Sequence, residues 1–188
     1  FIEVSPGDHA STVFSMTTSA KDQRFVTMIV DKPYSPLGVT QTRGSAINCP
    51  DQFNQTFTYD VWLEVLKLAY DHALTLDWVR PESLVLGISE GAVMASGLAA
   101  SRPNSVKAVA LTGATGSSQA FDILAQAYLS GESDQSSLIQ SLDSLTEAIK
   151  EIVTNENDWQ SMFRGHSFLR WASFFKVSPI ALLSGQTQ

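Results

Sequence analysis

The sequence predicts an α/β fold: a mostly parallel sheet, helices crossing between its strands, and a helical cap inserted after the fourth strand. Three observations carry this expectation. Short apolar runs alternate with segments of helical period, the pattern of right-handed β-α-β crossovers. The run Arg24 to Val30 is almost continuously apolar, as suits a strand covered on both faces. Residues 121–175 then read as helix throughout and interrupt the alternation before one last apolar run.

Phe1-Ile2-Glu3-Val4 is a first short strand that runs into the turn cluster Ser5-Pro6-Gly7-Asp8. It has the character of a strand interior, so further residues are expected before it. Arg24 to Val30 is a second strand, apolar and rich in β-branched side chains. A long loop follows, from Asp31-Lys32-Pro33 through Pro36, Gly38, Gly44 and Pro50. Thr58 is a candidate N-cap, because Val61, Trp62, Val65, Leu66, Leu68 and Ala69 then recur at spacings of three and four. Ser83 to Gly87 is a third strand and Ala92 to Ala100 a small-residue helix that can pack closely on a sheet. Val106 to Thr112 is a fourth strand, followed by a turn over Gly113 to Gly116. Helices are expected over Phe121 to Leu129 and Gln135 to Asn155, and in a third piece with Trp159, Phe163, Phe168 and Trp171. Pro179 to Gly185 is expected as a final strand. The division is therefore a core of residues 1–120, a cap of residues 121–175 and a return to the core over residues 176–188. A cap so placed lies over the carboxyl edge of the sheet, where open α/β folds bind ligands.

The 188 residues suit one domain with its own core. Lys and Arg number 12 against 19 Asp and Glu, for a net charge of −7. An acidic surface repels phosphate backbones, which argues against nucleic acid as a partner. No run approaches the ~18 uninterrupted apolar residues of a membrane helix. No basic-then-apolar leader is visible, and the compartment stays open. Cys49 is the one cysteine, so no disulfide closes within these residues.

The segment that carries chemistry is Gly87-Ile88-Ser89-Glu90-Gly91, a Gly-x-Ser-x-Gly pattern. A serine on a sharp strand-to-helix turn presents its hydroxyl clear of the sheet, and residues two to either side must be small. The helix that follows aims its N-terminus at the site and favours developing negative charge. The bare pattern arises by chance about once in 15 chains of this length. Its setting is far more selective: the strand Leu84 to Leu86 runs in, and Ala92, Ala95, Gly97, Ala99 and Ala100 run out. The alternative is an ordinary tight turn with Ser89 as a helix cap. Ser5-Pro6-Gly7-Asp8-His9 is the second recognisable piece. Backbone N–H groups at Gly7 or Asp8, with that of Glu90, are candidate oxyanion donors. A plain Pro-Gly turn is the competing reading there.

With these motifs the chain resembles the α/β-hydrolase superfamily, and within it bacterial serine hydrolases with a Gly-x-Ser-Glu-Gly nucleophile elbow. The resemblance covers almost the whole chain. Val30 to Pro33 looks like the strand end before a glycine-bearing loop. Cys49 to Asn54 followed by Thr58 looks like the entry into the helix before the elbow, Leu84 to Ala100 like the elbow unit, and Val109 to Gly116 like the next strand and turn. Pro179 to Gln188 looks like the strand before the catalytic acid. The resemblance implies Ser89 as nucleophile of a Ser, Asp or Glu, His triad, with the acid and histidine expected beyond Gln188. It implies a small-molecule or short peptide substrate and no cofactor.

His9, in the oxyanion loop, is a candidate base or a residue that tunes the pocket. His72 reads as surface or core edge. His166 and Trp171 belong to the cap and are candidates for substrate contact, with a solvated loop histidine and a core aromatic as the plainer readings. No His or Cys pair has metal-ligand spacing, so no metal is expected. The Glu90 carboxylate reads as a helix N-terminal acid, or as an attractor for a cationic substrate group. Two functions compete: a serine hydrolase that cleaves an ester, thioester or amide through Ser89, and a non-catalytic α/β-hydrolase-like binding module that lacks the acid and histidine.

Overall fold

The computed structural model describes residues 2–4, 28–30, 32–35, 45–130 and 134–185. It is a mixed α/β structure. Strands β1 (Ile2–Val4), β2 (Met28–Ile29), β3 (Ser83–Ile88) and β4 (Val106–Thr112) form one sheet in the order β2-β1-β3-β4. Every pairing in it is parallel, with Ile2 opposite Met28, Val4 opposite Gly87 and Ile88 opposite Thr112. Because β1 and β3 are parallel neighbours, the chain leaving Val4 emerges beside Gly87, on the edge where the Ser89 turn begins. The expected second strand is present as Met28–Ile29; its earlier part, Arg24 to Thr27, lies outside the described residues.

Among the described residues two helices precede β3: α1 (Asp51–Thr56) and α2 (Tyr59–Ala73). Thr58 caps α2 as expected, its side chain accepting from the Val61 N–H. The buried stripe of α2 is Tyr59, Trp62, Leu66 and Tyr70. It lies part of a turn away from the expected apolar face, since Val61 and Leu68 are exposed. Helix α3 (Glu90–Ser101) is buried all round from Glu90 to Ala99, because it packs on β1, β3, β4, α2 and a short helix near the end of the chain. Its small side chains permit that approach.

The stretch after β4 holds α4 (Gln119–Leu129), α5 (Gln135–Thr154) and α6 (Phe168–Phe175); the first two meet the expectation, and of the third expected piece Phe168 and Trp171 are helical while Trp159 and Phe163 are not. It is not helix throughout. Met162–Phe163 and His166–Ser167 are antiparallel strands β5 and β6. Arg164 and Gly165 turn between them with φ of 46° and 82°, the positive pair that a two-residue hairpin turn requires. Pro179 to Gly185 is corrected outright. It is helix α7 (Pro179–Ser184), not a strand, so the return to the core is helical as far as it is described. The Ser178 hydroxyl accepts from the Ala181 N–H and Pro179 sits in the first turn, where its fixed φ and missing N–H suit a helix start. A six-residue apolar run has no period that separates helix from strand, and the cap decides.

Two buried clusters result. The larger joins the sheet to α2 and α3 through Trp62, Leu66, Tyr70, Val85, Met94 and Leu98, and takes in Phe174 of α6. The second lies among α4, α5 and α6: Ile123, Ile152, Phe168, Trp171 and Ala172.

Candidate active site

The sequence Gly87-Ile88-Ser89-Glu90-Gly91 forms the expected strand, turn and helix, β3 running into Ser89 and α3 starting at Glu90. Ser89 has φ 54° and ψ −122°. A residue with a Cβ held there is strained, at a cost of about 1–3 kcal/mol, and persists only where its surroundings fix it. Three things fix it here. The Ser89 N–H donates to the Thr112 carbonyl at 2.8 Å, and the Ser89 carbonyl accepts from the Ala92 N–H at 2.9 Å. Gly113, at φ 74°, closes over the turn from the end of β4, its Cβ position 3.4 Å from the Ser89 nitrogen. Gly87 lets α3 sit against β3, since a methyl there would run into the Gly91 carbonyl and lie 2.6 Å from Ala92 Cα and 2.7 Å from Ala95 Cβ.

Ser89 occupies the N-cap position of α3, yet its hydroxyl makes no capping hydrogen bond and the residue is exposed. A serine at this position ordinarily bonds the N–H groups of the first turn. The ordinary-cap reading of Ser89 therefore finds no support in the geometry. The Glu90 N–H, as the first of the helix, has no acceptor within it, and none outside it among the described residues.

The Glu90 carboxylate is the residue that sequence reasoning placed least well. It is neither a simple first-turn acid nor displayed to solvent. It is buried, with Lys32 Nζ 2.8 Å from Oε1 and the Arg170 guanidinium bonded to Oε2. Both cations are themselves buried. Lys32 Nζ lies 4.4 Å from the Phe57 ring centre and 4.9 Å from that of Trp62. The Arg170 guanidinium is 4.0 Å from the Trp171 ring and 4.3 Å from that of Phe174. Burial pushes the Arg170 guanidinium down to about 9, which leaves it a cation at neutral pH. Removing a charge of this kind from water costs on the order of several kcal/mol per ion, so the cluster is an expensive arrangement. No local pattern exposes it, because Arg170 stands 80 residues from Glu90.

Trp171 is buried, and its indole N–H donates to the Phe163 carbonyl at 2.6 Å. His166 is half-buried at the start of β6, its ring centre 6.0 Å from that of Trp171 and 6.3 Å from that of Phe57. It is thus packed between aromatics rather than solvated on a loop. His72 is exposed, on the last turn of α2. Glu90, Arg170, Trp171 and His166 are linked in turn by an ion pair and ring contacts, and Ser89 joins them as the residue before Glu90. No histidine or carboxylate among the described residues hydrogen-bonds the Ser89 hydroxyl. Gly7, Asp8 and His9 lie outside the described residues. Among the described residues no group of His, Cys, Asp and Glu is placed to hold a metal ion, and no helix is long and apolar enough to cross a membrane.

Compared with protein-family models, with curated proteins and with solved structures, the chain finds no match.

Proposed function

We propose that this protein is a serine hydrolase of the α/β-hydrolase type that cleaves an ester, thioester or amide through an acyl-enzyme on Ser89. One observation carries the reading: a strained, exposed serine between β3 and α3 whose hydroxyl does not serve the helix it precedes. Strain of this kind clusters where function uses it. Ser89 Oγ attacks the substrate carbonyl, and its proton passes to a histidine oriented by an acid, both outside the described residues. The oxyanion meets the Glu90 N–H. The parallel pairing of Val4 with Gly87 supports Gly7 or Asp8 as the second donor, since the chain leaves β1 at the same sheet edge. One such donor is worth about 100- to 1000-fold in rate. The tetrahedral adduct expels the leaving group, and water then releases the acid from Ser89. The second buried cluster, formed among α4, α5 and α6, supports residues 121–175 as a cap.

A fluorophosphonate tests the proposal, because it phosphonylates an activated serine and spares an ordinary one. The expected result is a single adduct mapped to Ser89 and none on Ser89→Ala. A folded, full-length protein that takes no adduct at Ser89 overturns the reading and leaves the non-catalytic binding module in its place.

A further inference from the structure

Glu90 does two things at once. Its backbone supplies the N–H that follows the nucleophile, and its carboxylate is paired with two cations from separate segments of the chain. Lys32 comes from the segment just past β2, and Arg170 from α6, the helix that shares both buried clusters. An acid in the first turn of a helix needs no such grip, for an exposed one already complements the helix dipole. Nor does stability account for it, because buried ion pairs are commonly matched or exceeded by apolar residues of the same volume. What the grip does achieve is geometric. Side chain and backbone of Glu90 share one Cα, so a carboxylate hydrogen-bonded by Arg170 at Oε2 and ion-paired with Lys32 at Oε1 restricts rotation of the peptide between Ser89 and Glu90. That peptide carries the N–H whose direction matters, and it belongs to a turn that strain would otherwise relax.

We propose that the Lys32–Glu90–Arg170 cluster is a positioning device that aligns the Glu90 N–H for the oxyanion and makes that alignment depend on the seating of α6. Arg170 is then a positioning residue and not a catalytic one. It acts through Glu90, and the stack of its guanidinium on Trp171 and Phe174 is how the helical block transmits its placement to the elbow. Among the described residues, two of the guanidinium nitrogens, Nε and Nη1, have no hydrogen-bond partner.

The inference rests on the hydrolase reading, and its test separates the two. Fluorophosphonate labelling rates and p-nitrophenyl acetate turnover are measured for the full-length protein and for Arg170→Met, Arg170→Lys, Glu90→Gln and the double variant Glu90→Gln/Arg170→Met. Amide exchange over residues 89–92 is followed in parallel. Arg170→Met is expected to label about 10- to 100-fold more slowly, the penalty of a donor misplaced by a fraction of an ångström to an ångström. The loss falls on kcat with KM unchanged. Arg170→Lys recovers part of the rate, and the double variant is no slower than the worse single one. Exchange at residues 89–92 accelerates in Arg170→Met. A folded Arg170→Met that labels at the wild-type rate, with unchanged exchange at 89–92, overturns the inference while the hydrolase reading stands. Absence of any adduct on the wild type sinks the hydrolase reading, and the exchange result alone then decides whether Arg170 holds the turn. Should Arg170→Met not fold, Lys32→Met and Arg170→Lys carry the same comparison.

Discussion

Gly97 shows how one missing methyl organises the neighbourhood of the elbow. In a helix interior glycine costs about 1 kcal/mol relative to alanine, so its place in α3 asks for a reason. A Cβ there would collide with the Tyr59 hydroxyl and lie 3.2 Å from Leu63 Cδ1. Tyr59 lies across the helix, its ring edge-on to Phe174 at 5.7 Å, and its hydroxyl is buried with no partner among the described residues. Gly97→Ala is therefore expected to destabilise the protein by about 1–3 kcal/mol through overpacking. Tyr59→Phe removes the colliding oxygen and an unpaired polar atom together, so it is expected to be neutral or stabilising by itself and to suppress most of the Gly97→Ala cost. The same hydroxyl sets an alkaline limb. Burial raises it from 10.0 to about 12. The unfolded chain then releases its proton first, and stability present below about pH 10 is lost as pH climbs towards 12. Denaturant titrations at pH 9, 10 and 11 should show that decline in the wild type and a flatter one in Tyr59→Phe. Equal slopes would remove Tyr59 as its source. Ser89 itself is legible in the sequence because its motif is local. The grip on Glu90 is not, because both its partners arrive from distant segments.

At the scale of elements, capping recurs from helix to helix. Thr58, Ser118, Asp134, Ser167 and Ser178 each stand at an N-cap and accept from a first-turn N–H. Thr58→Ala is expected to cost about 1 kcal/mol, read as a lower denaturation midpoint with unchanged slope. Asp134 adds a pH test. The backbone N–H and hydroxyl of Ser137, with the Ser136 N–H, hold its carboxyl below the usual carboxylate range. Its contribution is then present above the unfolded value, near 3.9, and is lost as pH falls through the folded one. Amide protection in the first turn of α5, taken against the intrinsic exchange rate at each pH, should fall below about pH 4 in the wild type, whereas in Asp134→Asn it should change little there. These caps explain what can be read in the sequence. The start of α2 is legible from Thr58 and the apolar period behind it, and β4 from the apolar run Ala108 to Leu111. Helix α7 reads as a strand because Ser178-Pro179, a cap and first-turn pair, is outweighed by the apolar composition behind it. The β5–β6 hairpin escapes the sequence because Arg164-Gly165 is a weak turn signal, far from the Asn-Gly or Asp-Gly that favours positive φ at both positions.

Across the whole molecule the question is whether the two buried clusters move as one. The expected split between a sheet core and a helical block has a physical counterpart in them, although α6 belongs to both. Phe174 lies in the larger cluster, while Phe168, Trp171 and Ala172 lie in the smaller. The smaller one buries less apolar surface and stands between helices whose outer faces leave Phe121, Tyr128, Leu129 and Ile139 exposed. Elements with few buried contacts open at lower free energy than the core they lean on. Ile152 is fully buried at the centre of that cluster, so Ile152→Ala is expected to cost about 2–5 kcal/mol. The cost should appear locally: amides of α4 and α5 exchange faster, and those of α3 and β3 keep their protection. If Arg170 ties the block to the elbow, fluorophosphonate labelling of Ser89 also slows in Ile152→Ala, although the substitution is made on a different helix from either partner of that tie. Equal acceleration of exchange in α3 would instead mean that the shared helix α6 fuses both clusters into one cooperative unit. An unchanged labelling rate beside a loosened block would mean that the elbow does not feel the block at all.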